Sequence, residues 1–178
     1  MLKIIAMIAL IVVALVAALL AFATTRPDTF QVERSTIVKA PPEKIFVQIN
    51  DFHNWRSWSP YEKLDPAMTK TISGSASGKG AVYEWDGNSN VGKGRMEITE
   101  TSEPSRVIVK LDFVKPFEGH NIAEFSIVPN GDSTKVTWAM HGAAAFPVKV
   151  MGIFLNMDNM IGKEFESGLA NLKTLAEK

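Results

Sequence analysis

The sequence of 178 residues has no cysteine, only three histidines and no excess of either charge, with 19 basic and 19 acidic side chains. Without cysteine there are no disulfide bonds, no catalytic thiolate and no cysteine-bound zinc or iron–sulfur site. Lys3 is the only charged side chain before Arg26, so the rest of the chain carries 18 basic and 19 acidic groups. This balance argues against a nucleic-acid-binding surface.

Motifs for catalysis and metal binding are also lacking. His53, His120 and His141 lie far apart, and none has a second histidine at the spacing of a zinc motif. The segment Gly74–Gly80 looks like a phosphate loop, but it ends in glycine where a metal-binding hydroxyl is required. No serine lies in a G-x-S-x-G motif. We therefore predict no metal site, no cofactor and no catalytic residue.

One long apolar run is present, the 20 residues from Ile4 to Ala23, which contain no charged or amide side chain. A helix of this length rises about 30 Å, close to the hydrocarbon thickness of a bilayer. A cleaved signal peptide is the alternative, because Lys3 precedes the run and Ala21-Phe22-Ala23 offers a small-x-small cleavage site. The core of a signal peptide is typically shorter, about 7–15 residues, so we predict a membrane anchor over residues 1–25.

The side of the membrane follows from charge. The amino terminus and Lys3 precede the apolar run and Arg26 follows it, so the positive-inside rule slightly favours an amino terminus inside the cell. We therefore expect a single-pass protein whose domain, residues 26–178, lies on the outer, periplasmic or extracellular side.

The rest of the chain alternates between strand and helix patterns. Proline at residues 41 and 42 opens a short helix that runs through Asn50, and three- and four-residue spacing of apolar side chains from Met151 to Leu175 predicts a long amphipathic C-terminal helix. Alternating apolar residues between short turns predict a strand at the start and a series of antiparallel strands between the helices. The predicted strands are residues 30–39, 69–73, 81–86, 92–101, 106–114, 121–129 and 135–142.

Three segments resemble one known superfamily. They are the strand and helix start Val38-Lys39-Ala40-Pro41-Pro42-Glu43-Lys44-Ile45-Phe46, then Trp55-Arg56-Ser57-Trp58-Ser59-Pro60, and finally Phe165-Glu166-Ser167-Gly168-Leu169-Ala170-Asn171-Leu172. They resemble the START-like superfamily, also called SRPBCC or the polyketide cyclase/dehydrase and lipid-transport group, over about residues 30–176. The resemblance implies an α+β helix-grip fold, in which a curved antiparallel sheet wraps around the long C-terminal helix and leaves an apolar cavity between them. In this chain one N-terminal transmembrane helix is expected to precede that fold.

Strand parity suggests which side chains face this cavity. Trp55 and Trp58 are candidates for its mouth, although they would equally suit a pair of aromatics that seals one end of the core. The other candidates are apolar residues that would also suit a well-packed core. The predicted ligand-binding residues are Trp55, Trp58, Met96, Phe113, Phe125, Trp138, Met140, Phe154, Met157, Ile161 and Phe165.

The resemblance leaves the function open between classes, because the superfamily contains lipid carriers, metabolite binders, cyclases and chaperone activators. We predict a membrane-tethered domain that binds a hydrophobic small molecule or lipid, since binding needs no dedicated catalytic residue. The alternative is a polyketide-cyclase-like enzyme, in which an inward-facing histidine such as His120 acts on the bound ligand. Because side chains alternate along a strand, His141 is predicted to point to the opposite side of the sheet from Trp138 and Met140. This argues against a catalytic role for His141. No protein partner is predicted from the sequence.

Overall fold

The computed structural model describes residues 2–178, and it begins with a helix, α1, over Leu2–Thr24. Within Lys3–Thr24 the most apolar window of 18 residues has a mean hydropathy of 3.2 and is not buried inside the protein. The structure thus has one apolar N-terminal helix of sufficient length to cross a membrane, and a signal sequence has the same properties.

The remaining elements follow the predicted order of strand, short helices, strands and C-terminal helix. The helix Pro42–Asn50 is followed by a 3₁₀ helix at Phe52–Ser57, which is capped by Asp51, whose side chain accepts a hydrogen bond from the backbone N–H of His53 at 2.9 Å. The elements are β1 (Thr29–Val38), α2 (Pro42–Asn50), α3 (Tyr61–Leu64), β2 (Thr69–Gly74), β3 (Ala81–Asp86), β4 (Lys93–Ser102), β5 (Arg106–Lys115), β6 (Gly119–Asn130), β7 (Ser133–Ala143), α4 (Phe146–Phe154) and α5 (Met157–Ala176).

All seven strands form one antiparallel sheet in the order β1-β7-β6-β5-β4-β3-β2. Only β1 is out of sequence order, because it pairs with the last strand, β7. Helix α5 packs against β1 and β7 and also contacts α2. This is the helix-grip arrangement, so the predicted α+β fold class is confirmed.

The C-terminal helix is interrupted, which corrects the expectation of one helix from Met151 to Leu175. Helix α4 ends at Phe154, and α5 begins after Asn156, whose side chain accepts a hydrogen bond from the backbone N–H of Asn159 at 3.0 Å. An asparagine at this position satisfies an amide of the first helical turn and therefore favours a new start. Phe154 thus belongs to α4 and not to the helix that the sheet grips.

Two glycines let α5 approach the sheet closely. A Cβ atom at Gly168 would lie 2.8 Å from Trp138 and 3.0 Å from Pro60, and one at Gly162 would lie 2.1 Å from the guanidinium of Arg34. Arg34, on β1, holds α5 in this position by ion pairs with Asp158 and Glu166 at 2.9 Å and 2.7 Å. These two glycines therefore mark a close approach of the helix to neighbouring elements.

Candidate functional site

Five of the predicted ligand-binding residues form one aromatic cluster between the sheet and α5. The ring of Phe165, on α5, stacks on Trp138 with a centroid distance of 4.1 Å and an interplanar angle of 9°. Neighbouring rings meet edge to face or tilted at 5.0–6.0 Å, distances at which aromatic pairs attract each other. The members are Trp55, Trp58, Phe125, Trp138 and Phe165, all at least 96% buried.

Hydrogen bonds fix two of these tryptophans and leave the third without a partner. The indole N–H groups of Trp55 and Trp58 donate to the backbone carbonyls of Ile49 and Gln48 at 2.9 Å and 3.0 Å. The indole N–H of Trp138 is buried and has no hydrogen-bond acceptor among the described residues. Because these rings contact one another, this part of the interior is filled by side chains. The role of the five residues in ligand binding stays a prediction.

The other predicted residues lie around this cluster or away from it. Met140 is buried, and Met96, Phe113 and Ile161 are half-buried against the same core. Phe113 meets the ring of Trp85 at 5.7 Å, outside the five-ring cluster. The last two predicted residues, Phe154 at the end of α4 and Met157 at the start of α5, line a groove at the end of the sheet–helix interface.

This groove has a volume of about 520 Å³ and is bounded by the start of β1, by α4 and by the start of α5. Volumes of roughly 300–1,000 Å³ are typical of small-molecule sites. Most of its wall is apolar, and five polar side chains lie among the apolar ones. The apolar residues that line it are Pro27, Phe30, Ala144, Val148, Ile153, Phe154, Leu155 and Met157.

Two cations and one carboxylate give the groove a polar part. The chain carries Arg26, Lys149 and Asp158 on its wall. The side chain of Lys149 is only 10% exposed and forms an ion pair with the exposed Asp28. The hydrogen bond from Lys149, together with its charge, lowers the pKa of Asp28, so this carboxylate is ionised near neutral pH. The groove therefore combines an apolar wall with charged groups, as a site for an amphiphile requires.

The histidines lie on the outer surface. The ring Nδ1 of His120 is 2.7 Å from a carboxylate oxygen of Asp112, and the imidazole is 66% exposed. This hydrogen bond raises the pKa of His120. His141 is exposed too, as parity predicts. Neither residue reaches the aromatic cluster, so an inward-facing histidine is not available to the cyclase alternative.

A second polar cluster lies at the other edge of the sheet. The carboxylate of Glu62 accepts a hydrogen bond from the hydroxyl of Tyr83 at 2.6 Å and forms an ion pair with Lys70. Burial, then the hydrogen bond with Glu62, raises the pKa of Tyr83, so the phenol stays protonated. All polar groups of this cluster are partnered, and it ties α3 to strands β2 and β3.

Most of the groove was missed by sequence reasoning. Strand parity identifies residues that face the sheet interior, but Phe30, Val148 and Ile153 meet only because the chain turns between β7 and α4. One signal was available. The segment 146–155 has a single charged residue, Lys149, although it follows a turn and has no place in the sheet.

Comparisons with known proteins agree with the geometry. Residues 29–177 match the protein family described as "Polyketide cyclase / dehydrase and lipid transport". No protein of curated function matches the sequence significantly.

Solved structures share the fold at low sequence identity. Protein CV1439 from Chromobacterium violaceum is 16% identical with a TM-score of 0.58, and the match covers 86% of this chain and 99% of that one. Major latex-like protein 151 from Panax ginseng is 15% identical with a TM-score of 0.60, over 84% and 99% of the two chains. The di-domain aromatase/cyclase BexL of the BE-7585A biosynthetic pathway is 11% identical with a TM-score of 0.63, over 89% and 53%.

The family match spans the whole of the helix-grip fold, from the first residue of β1 to one residue beyond the end of α5. Identities of 11–16% to the solved structures support the fold alone. The chain belongs to the polyketide cyclase/dehydrase and lipid transport family, in the START-like SRPBCC superfamily.

Proposed function

We propose that this protein is a membrane-tethered SRPBCC domain that binds a hydrophobic small molecule or lipid. In this proposal residues 1–25 are a transmembrane anchor, and residues 26–178 form the binding domain on the outer side of the membrane. The single observation that carries the proposal is the groove of about 520 Å³ at the end of the sheet–helix interface. Its apolar wall suits an acyl chain or ring system, and Arg26 and Lys149 suit a polar or anionic end.

Binding is favoured over catalysis by the positions of the titratable groups. The groups on the wall of the groove are Arg26, Lys149 and Asp158, and the last of these is already paired with Arg34. A general acid or base must lie within hydrogen-bond reach of the reacting atom with a pKa near the working pH. The hydrogen bond from Arg34 lowers the pKa of Asp158, which makes this carboxylate a poor proton donor.

The binding proposal is tested by native mass spectrometry of the full-length protein extracted in mild detergent. Wild-type protein is expected to retain a hydrophobic molecule. Gly152 lines the groove, and a Cβ there meets no atom within 4 Å, so Gly152→Leu is expected to occupy part of the groove. We expect this variant to lose affinity by tenfold or more, about 1.4 kcal/mol. The matched control is Ala170→Leu, at an exposed position of α5.

Two outcomes would contradict the binding proposal. One is that no small molecule is retained by the wild-type protein, either from the cell or after addition of fatty acid. The other is that Gly152→Leu and Ala170→Leu retain the molecule equally, which would place the site elsewhere.

The anchor is tested separately. Full-length protein is expected to stay in the membrane pellet after alkaline carbonate washing, because the 22 residues Lys3–Thr24 are long and apolar enough to span the bilayer. Recovery of a soluble mature protein that begins near Thr24 would show that the segment is a cleaved signal peptide.

A further inference from the structure

Helix α4 presents an apolar surface that the domain does not cover. Lys149 is its only charged residue, and it lines the groove and is paired with Asp28. None of the nine residues of α4 is buried by the described part of the chain. Phe146 is 45% exposed and Phe154 is 69% exposed, and Leu155, which follows, is 41% exposed. Exposed apolar side chains that cluster in this way mark a contact surface.

This surface lies at the end of the domain where α1 ends. Only four residues separate Thr24, the last residue of α1, from Thr29, the first of β1, so the two are at most about 18 Å apart. Helix α1 also contacts α4 directly, and Ala23 near the end of α1 is fully buried. A bilayer that holds α1 therefore lies beside α4.

The register of the sheet adds a third segment to the same end. Thr29, which begins β1, is opposite Ala143 at the end of β7, and Gly142 is opposite Asn121 near the start of β6. The turn between β5 and β6 thus lies at this end too. It carries Phe117, whose side chain is 53% exposed.

We propose that α4, the turn between α4 and α5 and the turn between β5 and β6 form a membrane-docking surface, which inserts Phe117, Phe146, Phe154 and Leu155 into the interfacial region of the bilayer. The inference rests on the proposed anchor, since α1 holds this end of the domain at the membrane. Aromatic side chains favour the boundary between headgroups and acyl chains, and exposed apolar side chains lose an unfavourable contact with water when they enter it. The partner is a lipid surface, because α1 places one beside α4 in every molecule, whereas a protein partner would have to compete with it.

Docking in this way would open the groove toward lipid. Phe154 and Leu155 both line the groove and belong to the docking surface. A hydrophobic ligand would therefore pass between bilayer and groove without crossing water, where its apolar surface is costly to expose.

The test uses full-length protein in phosphatidylcholine vesicles, with an environment-sensitive fluorophore on a single introduced cysteine. The natural chain has no cysteine, so each label is unique. Phe154→Cys and Phe117→Cys report on the docking surface. Val128→Cys, 51% exposed near the opposite end of β6, is the matched control. Val12→Cys, in the middle of α1, reports on the anchor.

We expect lipid-attached quenchers to reduce the emission of the labels at residues 12, 117 and 154, and to leave the label at residue 128 unchanged. If residue 12 is quenched and residues 117 and 154 are not, the docking surface is refuted and the anchor stands. If residue 12 is not quenched either, both the anchor and the docking surface fail. Labels at 117 and 154 that escape both lipid and aqueous quenchers would show that protein covers this surface, which also refutes lipid docking.

Discussion

The aromatic cluster and the groove are built from similar side chains but differ in what surrounds them. In the cluster, Trp138 and Phe165 are at most 3% exposed and stack at 4.1 Å between the sheet and α5. In the groove, Phe154 is 69% exposed on α4, a helix that has no buried residue. Both regions are apolar, so composition does not distinguish a packed core from a contact surface.

The physical difference is the presence of a second layer. A helix or a sheet must bury its apolar side against another element, and α5 and the sheet do this for each other. Helix α4 lines the groove and contacts α1, but none of its residues is buried, and Phe146 and Phe154 stay exposed. We therefore expect the stability of the fold to depend on the cluster, and the proposed ligand and membrane contacts to depend on the groove and α4. Substitutions can separate these roles.

The largest expected effect is a fall in the free energy of unfolding when the ring of Phe165 is removed from the aromatic cluster. Phe165→Ala should lower the free energy of unfolding by about 3–5 kcal/mol, because it removes a buried ring and leaves a cavity. Phe154→Ala, the same substitution in the groove, should change it by less than about 0.5 kcal/mol. Urea unfolding of full-length protein in mild detergent, followed by tryptophan emission, measures both. Equal losses would show that α4 is part of the core.

A smaller effect is expected from glycine substitutions on the two helices. At Gly168 a methyl group would lie 2.8 Å from Trp138, so Gly168→Ala should overpack the interface and destabilise the protein by about 1–2 kcal/mol after the gain in helix propensity. At Gly152 a methyl group meets no atom within 4 Å, so Gly152→Ala should stabilise α4 by up to about 1 kcal/mol. Urea unfolding, followed by tryptophan emission as above, measures the stability of both variants. A stabilising Gly168→Ala would mean that α5 can move away from the sheet.

The smallest expected effect is the pH dependence of stability that comes from the pair of His120 and Asp112. This pair lies on the outer surface, away from the aromatic cluster and the groove. The hydrogen bond to Asp112 raises the pKa of His120 above 6.5. The stabilisation from this pair is therefore complete below pH 6.5 and is lost as the pH rises through the raised pKa of folded His120. Asp112→Asn should return the pKa of His120 toward 6.5, which an NMR titration of the imidazole protons would detect. An unchanged pKa would show that the pair does not form in solution.

Ligand binding should not depend on the protonation state of His120 if the ligand lies in the groove. His120 is outside the groove-lining residues, and its imidazole is 66% exposed on the other surface of the sheet. Retention of a ligand in native mass spectrometry is therefore expected to be equal for wild-type protein and Asp112→Asn. A difference between them would connect the outer surface with the site and would favour the catalytic alternative.

Local patterns in the sequence predicted most of the fold. The prolines at residues 41 and 42 correctly marked the start of α2, and alternation predicted the strand over residues 106–114, observed at Arg106–Lys115. The prediction of one continuous helix over Met151–Leu175 was wrong, because the apolar spacing runs through the break at Leu155 and Asn156. Periodicity is insensitive to such a break, since a cap changes only one or two residues in an amphipathic pattern.

The candidate site was less predictable than the fold. Parity placed Phe125 and Trp138 on the inner side of the sheet, but whether inner side chains leave a cavity depends on the distance to α5, which Gly162 and Gly168 keep short. Phe154 and Met157 were assigned to the same interior and instead line the groove. Packing distances of this kind are set by contacts between residues that are far apart in sequence, and no single segment encodes them.

The sequence by itself determined the apolar N-terminal helix, the order of strands and helices, the absence of cysteine chemistry and the lack of recognisable catalytic motifs, because these depend on local composition and spacing. Only the tertiary structure decided that the inner aromatic rings contact one another, that His120 pairs with Asp112 on the outer surface, and that α4 lies beside the end of α1. The reason is that burial and pairing arise when β1 joins β7 and α5 closes over the sheet, which brings together residues separated by more than a hundred positions.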